Sequence, residues 1–250
     1  MCGDVRLGSI GQAPTEASAA CVLSLLLLLL LLLLLCRVWA LLPYRKRRKT
    51  GPWHPLSLSQ QGRVRDSKTA KSSCNRTVNT VVVLGSGGHT SEMLKLTAHL
   101  DPEIYTPLCY VVASTDSTSA ERIPSSGLRA GRCRVCRIPR SREVGQSYFS
   151  SVWTTIVAAF HSVAVVANTC PDLLLVNGPG TCIPVCVAVF ALRVVGLRPH
   201  SRIVFCESFC RVKSLSLSGR IMYFLADRFV VHWPELLSRY PRAEYIGQLM

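Results

Sequence analysis

Two regimes of hydrophobic patterning divide the chain. From Cys21 to Cys36 no residue is charged, and Leu25 to Leu35 is an unbroken run of leucine. With Val38 to Leu42 beyond Arg37, the block reaches the roughly 20 apolar residues that a helix rising 1.5 Å per residue needs to cross a bilayer. The pattern predicts one transmembrane helix over 21–42, with Leu25, Leu30 and Leu35 marking its lipid-embedded length. From Thr77 the pattern changes to short β-branched runs alternating with longer helical stretches, the signature of a parallel α/β sheet. Strands are predicted at Val78 to Leu84, Leu108 to Ala113, Arg134 to Ile138, Leu173 to Val176, Ile203 to Cys206 and Phe229 to Val231, with a short segment at Tyr245-Ile246. Helices are predicted at Ser91 to Leu100, Tyr148 to Asn168, Ile183 to Val195 and Leu215 to Ala226. The first strand is apolar throughout, as a strand covered on both faces should be.

This patterning gives four segments: a short tail (1–20), a membrane anchor (21–42), a tether (43–76) and a Rossmann-like domain (77–250). Charge sharpens the division. The formal net charge is +15, and residues 45–76 hold ten Lys or Arg against Asp66. A basic flank after the apolar run orients the tail to the lumen and the rest of the chain to the cytosol. The competing reading, a cleaved secretory signal, requires a basic flank before a shorter core and a small-residue cleavage site after it, and neither is present. The tether is rich in Pro, Ser, Gln, Lys and Arg and has too few large apolar residues to offset its ordering entropy. Its expected partner is the anionic leaflet beside it. Nucleic acid is not expected, because the basic run has no aromatic interleaving. Asn75-Arg76-Thr77 is a glycosylation sequon by pattern, and in this orientation it faces away from the glycosylating compartment.

Twelve cysteines in a cytosolic domain are expected to be reduced thiols packed as small apolar residues. Cys133 and Cys136 form a lone C-x-x-C without the further ligands of a structural zinc site, so no metal is assigned. The absence of Asp-x-Asp leaves a metal-dependent nucleotide-sugar site without evident ligands, and no cofactor is assigned. No Tyr-x-x-x-Lys supports a short-chain reductase.

Candidate chemistry lies where strands hand over to helices, the place where open α/β sheets bind ligands. Gly85-Ser86-Gly87-Gly88-His89-Thr90 follows the first strand and opens onto a helix. Glycines admit close backbone approach, and a helix N-terminus favours an anion, so a phosphate is the expected ligand. The match to a dinucleotide fingerprint is poor, since Thr90 stands at the third glycine position, and no P-loop signature is present. A plain tight turn is the competing reading. Asn177-Gly178-Pro179-Gly180-Thr181 repeats the arrangement after the fourth strand. Ile138-Pro139-Arg140-Ser141-Arg142-Glu143 brings two arginines suited to phosphate oxygens, although exposed loop arginines are common. In Glu207-Ser208-Phe209-Cys210-Arg211, Glu207 is placed either to bond a sugar hydroxyl or to sit in solvent.

These four loops, in this order behind one N-terminal helix, closely resemble the membrane-anchor subunits of the dolichol-pathway UDP-N-acetylglucosamine transferase, over about residues 78 to 250. The resemblance implies the N-terminal, acceptor-side half of a GT-B glycosyltransferase split over two polypeptides, inverting and metal-independent as a complex and inactive as this chain alone. It implies a soluble catalytic subunit that brings UDP-N-acetylglucosamine, and a lipid-linked acceptor, N-acetylglucosaminyl-diphosphodolichol, on the cytosolic face of the endoplasmic reticulum. The first-step sugar-phosphate transferase is a further candidate contact. Acceptor diphosphate binding then falls on Gly85, Ser86, Gly87, Gly88, His89, Thr90, Arg140, Arg142, Asn177, Gly178, Gly180 and Thr181. Partner contact falls on Tyr245, Ile246 and Leu249.

His89 keeps three readings: diphosphate ligand, general base with an ordinary pKa near 6.5, or loop cap. The domain after the tether is about half the size of a complete two-domain transferase, which favours a borrowed second half over a self-sufficient enzyme. A scaffold that only recruits a partner is the remaining alternative. The uncharged helix from Tyr148 is expected to be a buried crossover, with docking on lipid as its alternative reading, because a second span there would put consecutive strands on opposite sides of the membrane.

Overall fold

The structure, a computed structural model, describes residues 16–43, 77–125, 133–141, 145–178 and 180–247. The tether after Pro43, the sequon at Asn75, Arg142 with Glu143, Pro179 and Leu249 lie outside the described residues. The chain divides into two units, Met1–Leu41 and Leu42–Met250.

The first unit is helix α1 (Glu16–Leu41). Leu25, Leu30 and Leu35 are all exposed on it, and nothing in the window Val22–Leu41 is buried against the chain. A helix that is apolar all round suits lipid rather than water.

The second unit holds a seven-stranded sheet, counted among the described residues, in the order β3-β2-β1-β4-β5-β6-β7. Its strands are β1 (Thr80–Val83), β2 (Leu108–Ala113), β3 (Cys133–Ile138), β4 (Leu173–Asn177), β5 (Arg202–Cys206), β6 (Arg228–Val231) and β7 (Glu244–Tyr245). Every neighbouring pair is parallel. The helices are α2 (Gly88–Ala98), α3 (Ser117–Ser125), α4 (Tyr148–Thr169), α5 (Cys182–Val194) and α6 (Leu217–Leu225), with a 3-10 turn at Pro234–Ser238. Strand alternation sorts the core into two layers. Val81 and Val83 of β1 pack with Val166, Val185, Val189 and Met222 on one face, whereas Val82 and Leu84 pack with Met93, Leu94 and Ile123 on the other. The fold is therefore a doubly wound, Rossmann-like α/β sheet, and the strand order reverses between β1 and β4.

Three departures from the sequence pattern have local causes. Helix α2 starts at Gly88 rather than Ser91, because Gly87, at φ 64°, turns the chain directly into the helix. This puts His89 and Thr90 in its first turn. Helix α3 is only nine residues long and mostly polar, too short a window for a periodic pattern to stand out. It is held by Ala120 and Ile123 against the core, and by Asp116, whose carboxylate accepts the Ser119 amide at 3.0 Å.

The third departure corrects the expected burial of α4. Ala158, Ser162 and Val166 face inward, but Phe149, Val152, Trp153, Ile156, Phe160 and Val163 are exposed, Phe149 at 94% and Phe160 at 73%. One side of the crossover packs and the other carries an uncovered apolar stripe.

A buried ion cluster ties α5 to β5 and to the start of β6. Arg193 is 4% exposed and donates to both carboxylate oxygens of Asp227, at 2.8 and 3.2 Å. Asp227 also accepts the Ile203 amide at 2.9 Å and Arg202 at 3.3 Å.

Candidate functional site

The reversal of strand order leaves a crevice at the carboxyl ends of β1 and β4, and the two glycine-rich loops flank it. Above Gly87 and Gly88 a Cβ would meet no atom within 4 Å, so the entry to α2 is open to a ligand. Ser86 accepts from Arg140 at 3.2 Å, which brings the loop after β3 to the same place. Ser141 next to it lies 3.5 Å from where a Cβ on Gly180 would stand. Its carbonyl accepts from Thr154 and Thr155 of α4 at 2.6 and 3.3 Å. The first, third and fourth strand ends thus converge.

His89 spans the crevice. It leaves the first turn of α2, and its ring lies against the backbone of Gly178, where a Cβ would stand 3.0 Å from Cε1. Gly178 has φ 52°, a left-handed conformation that glycine adopts without penalty. Behind the ring stands Glu92, with Oε2 3.7 Å from His89 Nδ1, an ion-pair distance and too long for a direct hydrogen bond. Glu92 Oε2 accepts from Asn177 Nδ2 at 2.6 Å, and Oε1 accepts from Ser208 Oγ at 3.1 Å. The Glu92 carboxylate raises the His89 pKa above its ordinary value, against burial, which lowers it. Burial alone would raise the Glu92 pKa, but His89, Asn177 and Ser208 together hold it below the usual range.

Several predicted site residues serve the loops themselves. Thr90 is fully buried. Its hydroxyl bonds the Gly85 carbonyl and lies 2.6 Å from Ser119 Oγ, so it locks the first loop from within. Glu207 is also fully buried. It accepts the Ser208 and Ser216 amides at 3.0 Å each and the Ser216 hydroxyl at 3.2 Å. Ser216 in turn caps α6 through the Gly219 amide at 2.9 Å. Burial raises the Glu207 pKa. Its carboxylate braces the loop after β5 and does not line the open crevice. Thr181, 7% exposed, occupies the N-cap position of α5 without a side-chain cap bond. Tyr245 and Ile246 stand at the opposite edge of the sheet, where β7 pairs with β6 and Arg228 holds Glu244 through two bonds from Nε at 2.8 and 3.0 Å.

Sequence reasoning missed three members of this neighbourhood. Glu92 is one turn after His89, and that i,i+3 spacing is legible in Gly88-His89-Thr90-Ser91-Glu92. Arg122 of α3 donates to Ser91 Oγ at 3.1 Å, a contact that no local motif announces. His232, just after β6, is 1% exposed, and among the described residues neither ring nitrogen has a partner within hydrogen-bond geometry, with the Gly247 backbone as a polar neighbour. Burial holds its pKa down, against the pull of Glu92.

The class the fold defines is a doubly wound α/β domain, and its open helix N-terminus, the histidine bridging two glycine loops and the arginine at the rim have the chemistry that suits an anionic group. The comparisons carry the identification further. Residues 80–249 match the family model for "Oligosaccharide biosynthesis protein Alg14 like". The chain is 45% identical to the human UDP-N-acetylglucosamine transferase subunit ALG14 over 179 residues, covering 68% of this chain and 82% of the relative. It is 44% identical to the rat subunit with the same coverage, and 41% identical to that of Schizosaccharomyces pombe, covering 67% and 81%. Among solved structures, Acinetobacter baumannii MurG aligns with a TM-score of 0.47 at 11% identity, over 68% of this chain and 43% of that one, so this chain spans less than half of that protein's length. The chain belongs to the Alg14 family of oligosaccharide biosynthesis proteins.

Proposed function

We propose that this chain is the membrane-anchored, acceptor-binding subunit of a two-polypeptide UDP-N-acetylglucosamine transferase. In this reading the assembled complex adds the second N-acetylglucosamine to a lipid-linked N-acetylglucosaminyl diphosphate at the cytosolic face of the endoplasmic reticulum. The observation that carries the reading is the His89 bridge between the two glycine loops at the strand reversal. It offers an imidazole whose pKa is raised by Glu92, and an open helix N-terminus, to a diphosphate. The acceptor's diphosphate would rest over Gly87 and Gly88, with Arg140 at the rim. The soluble partner would close the other side of the crevice with the nucleotide sugar, docking near Tyr245 and Ile246. Helix α1 would hold the domain beside its lipid substrate, which raises the local concentration of acceptor without any new contact.

Reconstitution tests this directly. Full-length chain in vesicles, supplied with UDP-N-acetylglucosamine and a short-chain lipid diphosphate acceptor, is expected to transfer sugar only when the soluble subunit is present. Robust transfer by this chain alone would overturn the split-enzyme reading. Unchanged transfer by complexes bearing Gly88→Asp or His89→Ala would reduce the chain to a scaffold. Asn75 is expected to remain free of glycan in cells, and a glycan there, removable by an endoglycosidase, would reverse the orientation.

A further inference from the structure

We propose that Glu92 is a positioning residue that holds His89, charged, across the crevice, so that His89 serves as a cation for the acceptor's diphosphate. This inference rests on the acceptor-binding reading and deepens it.

The argument begins with how Glu92 is fixed. Each of its oxygens takes one neutral donor from a different strand end, Asn177 after β4 and Ser208 after β5. Neither donor neutralises the carboxylate, and together they stop it from swinging away from α2. Its charge is left for His89 Nδ1, one helical turn back at 3.7 Å. Gly178 closes the other side of the ring, since even a methyl group there would press on Cε1. The ring is thus confined between a carboxylate and a backbone, with its Nε2 as the remaining donor.

The surrounding charges agree in sign. Glu207, at the end of β5, adds attraction for a protonated His89. On the far side of Glu92 stand His232, just after β6, and Cys206 of β5, both kept uncharged by burial, with Cys206 pushed up to about 12. On the ligand side, Arg140 and Arg122 reach Ser86 and Ser91, so an anion arriving at the loop meets three cationic side chains. Of the buried side-chain polar atoms without a partner among the described residues, two belong to this hinge, His89 Nδ1 and Asn177 Oδ1. A buried polar group is ordinarily satisfied, and these two face the Glu92–His89–Asn177 cluster, where a small shift of the ring would pair them. A carboxylate fixed beside Nδ1 raises the proton affinity of the ring and so favours its charged form.

The test compares complexes of the full chain with its soluble subunit, carrying wild-type, Glu92→Gln, Glu92→Asp or His89→Gln sequence, assayed from about pH 5.5 to about pH 8.5, a range that brackets histidine titration. Glu92→Gln preserves shape and polar contacts but removes the charge. It is expected to raise the acceptor KM about tenfold, the loss of one charge-assisted contact, and to leave the UDP-N-acetylglucosamine KM unchanged. In wild type the acceptor KM should climb as pH rises through the elevated His89 pKa. In Glu92→Gln the climb should begin at lower pH, Glu92→Asp should restore part of the shift, and His89→Gln should abolish the pH dependence. A Glu92→Gln profile that matches wild type while His89→Gln is impaired would sink the inference and leave the acceptor-binding reading standing. A uniform, pH-independent loss in Glu92→Gln would reduce Glu92 to a structural tie and would also sink it. Wild-type behaviour of both variants would remove the acceptor-binding reading itself. Nitrogen NMR of histidine-labelled full chain in micelles should show His89 losing its ring proton at higher pH in wild type than in Glu92→Gln. Equal titration of the two would overturn the proposal.

Discussion

Gly178→Val is expected to cost the reconstituted complex about a hundredfold in kcat/KM for the lipid acceptor, the scale of loss that a misplacement near 1 Å produces at a reacting centre. Two effects combine at this position. The backbone holds φ 52°, which a β-branched residue adopts only with strain. The added side chain also meets His89 Cε1 at 3.0 Å from Cβ alone, so the ring must leave its place between loop and carboxylate. Steady-state kinetics with the acceptor varied check this. Gly145→Val is the informative control, since Gly145 also has positive φ but a Cβ there meets nothing within 4 Å. If both variants lose activity equally, backbone strain and not the displaced histidine explains the loss.

Asp227→Ala is expected to destabilise the α/β unit by about 3–5 kcal/mol, the usual consequence of stripping one partner from a buried ion pair. The substitution leaves Arg193, 4% exposed, with an uncompensated charge and deprives the Ile203 amide of its acceptor. A double change, Arg193→Met with Asp227→Ala, should recover part of that loss by removing the stranded charge. Denaturant unfolding of the full chain in micelles measures both. A single variant with wild-type stability would show that the cluster contributes nothing.

Much of the sheet was legible because fully covered parallel strands are continuous apolar runs, and the runs before Gly85, Gly178 and Glu207 end close to where the strands do. Placing the loops at the crevice followed from that. What was not legible is which way a loop residue turns. Thr90 and Glu207 look from sequence like groups offered to a ligand, yet the first closes on the Gly85 carbonyl and the second on three donors around Ser216. Inward rotation of such a side chain depends on partners distant in sequence. Ser119, for example, comes from a helix of nine mostly polar residues, too short to stand out in the sequence. Glu92 was readable as a neighbour of His89, but its role emerges only when Asn177 and Ser208 arrive from other strands. The outer side of α4 was hidden for a different reason. An uncharged helix has the same composition whether a second layer covers it or not, and sequence order does not say how many layers the chain builds.

The uncovered stripe of α4 has a practical consequence. Cutting the chain after its leucine-rich helix is not expected to yield a water-loving fragment, because Phe149, Trp153 and Phe160 remain as a greasy flank. Work on a truncated form would need surfactant throughout, or polar replacements along that flank, before its behaviour in plain buffer could be interpreted.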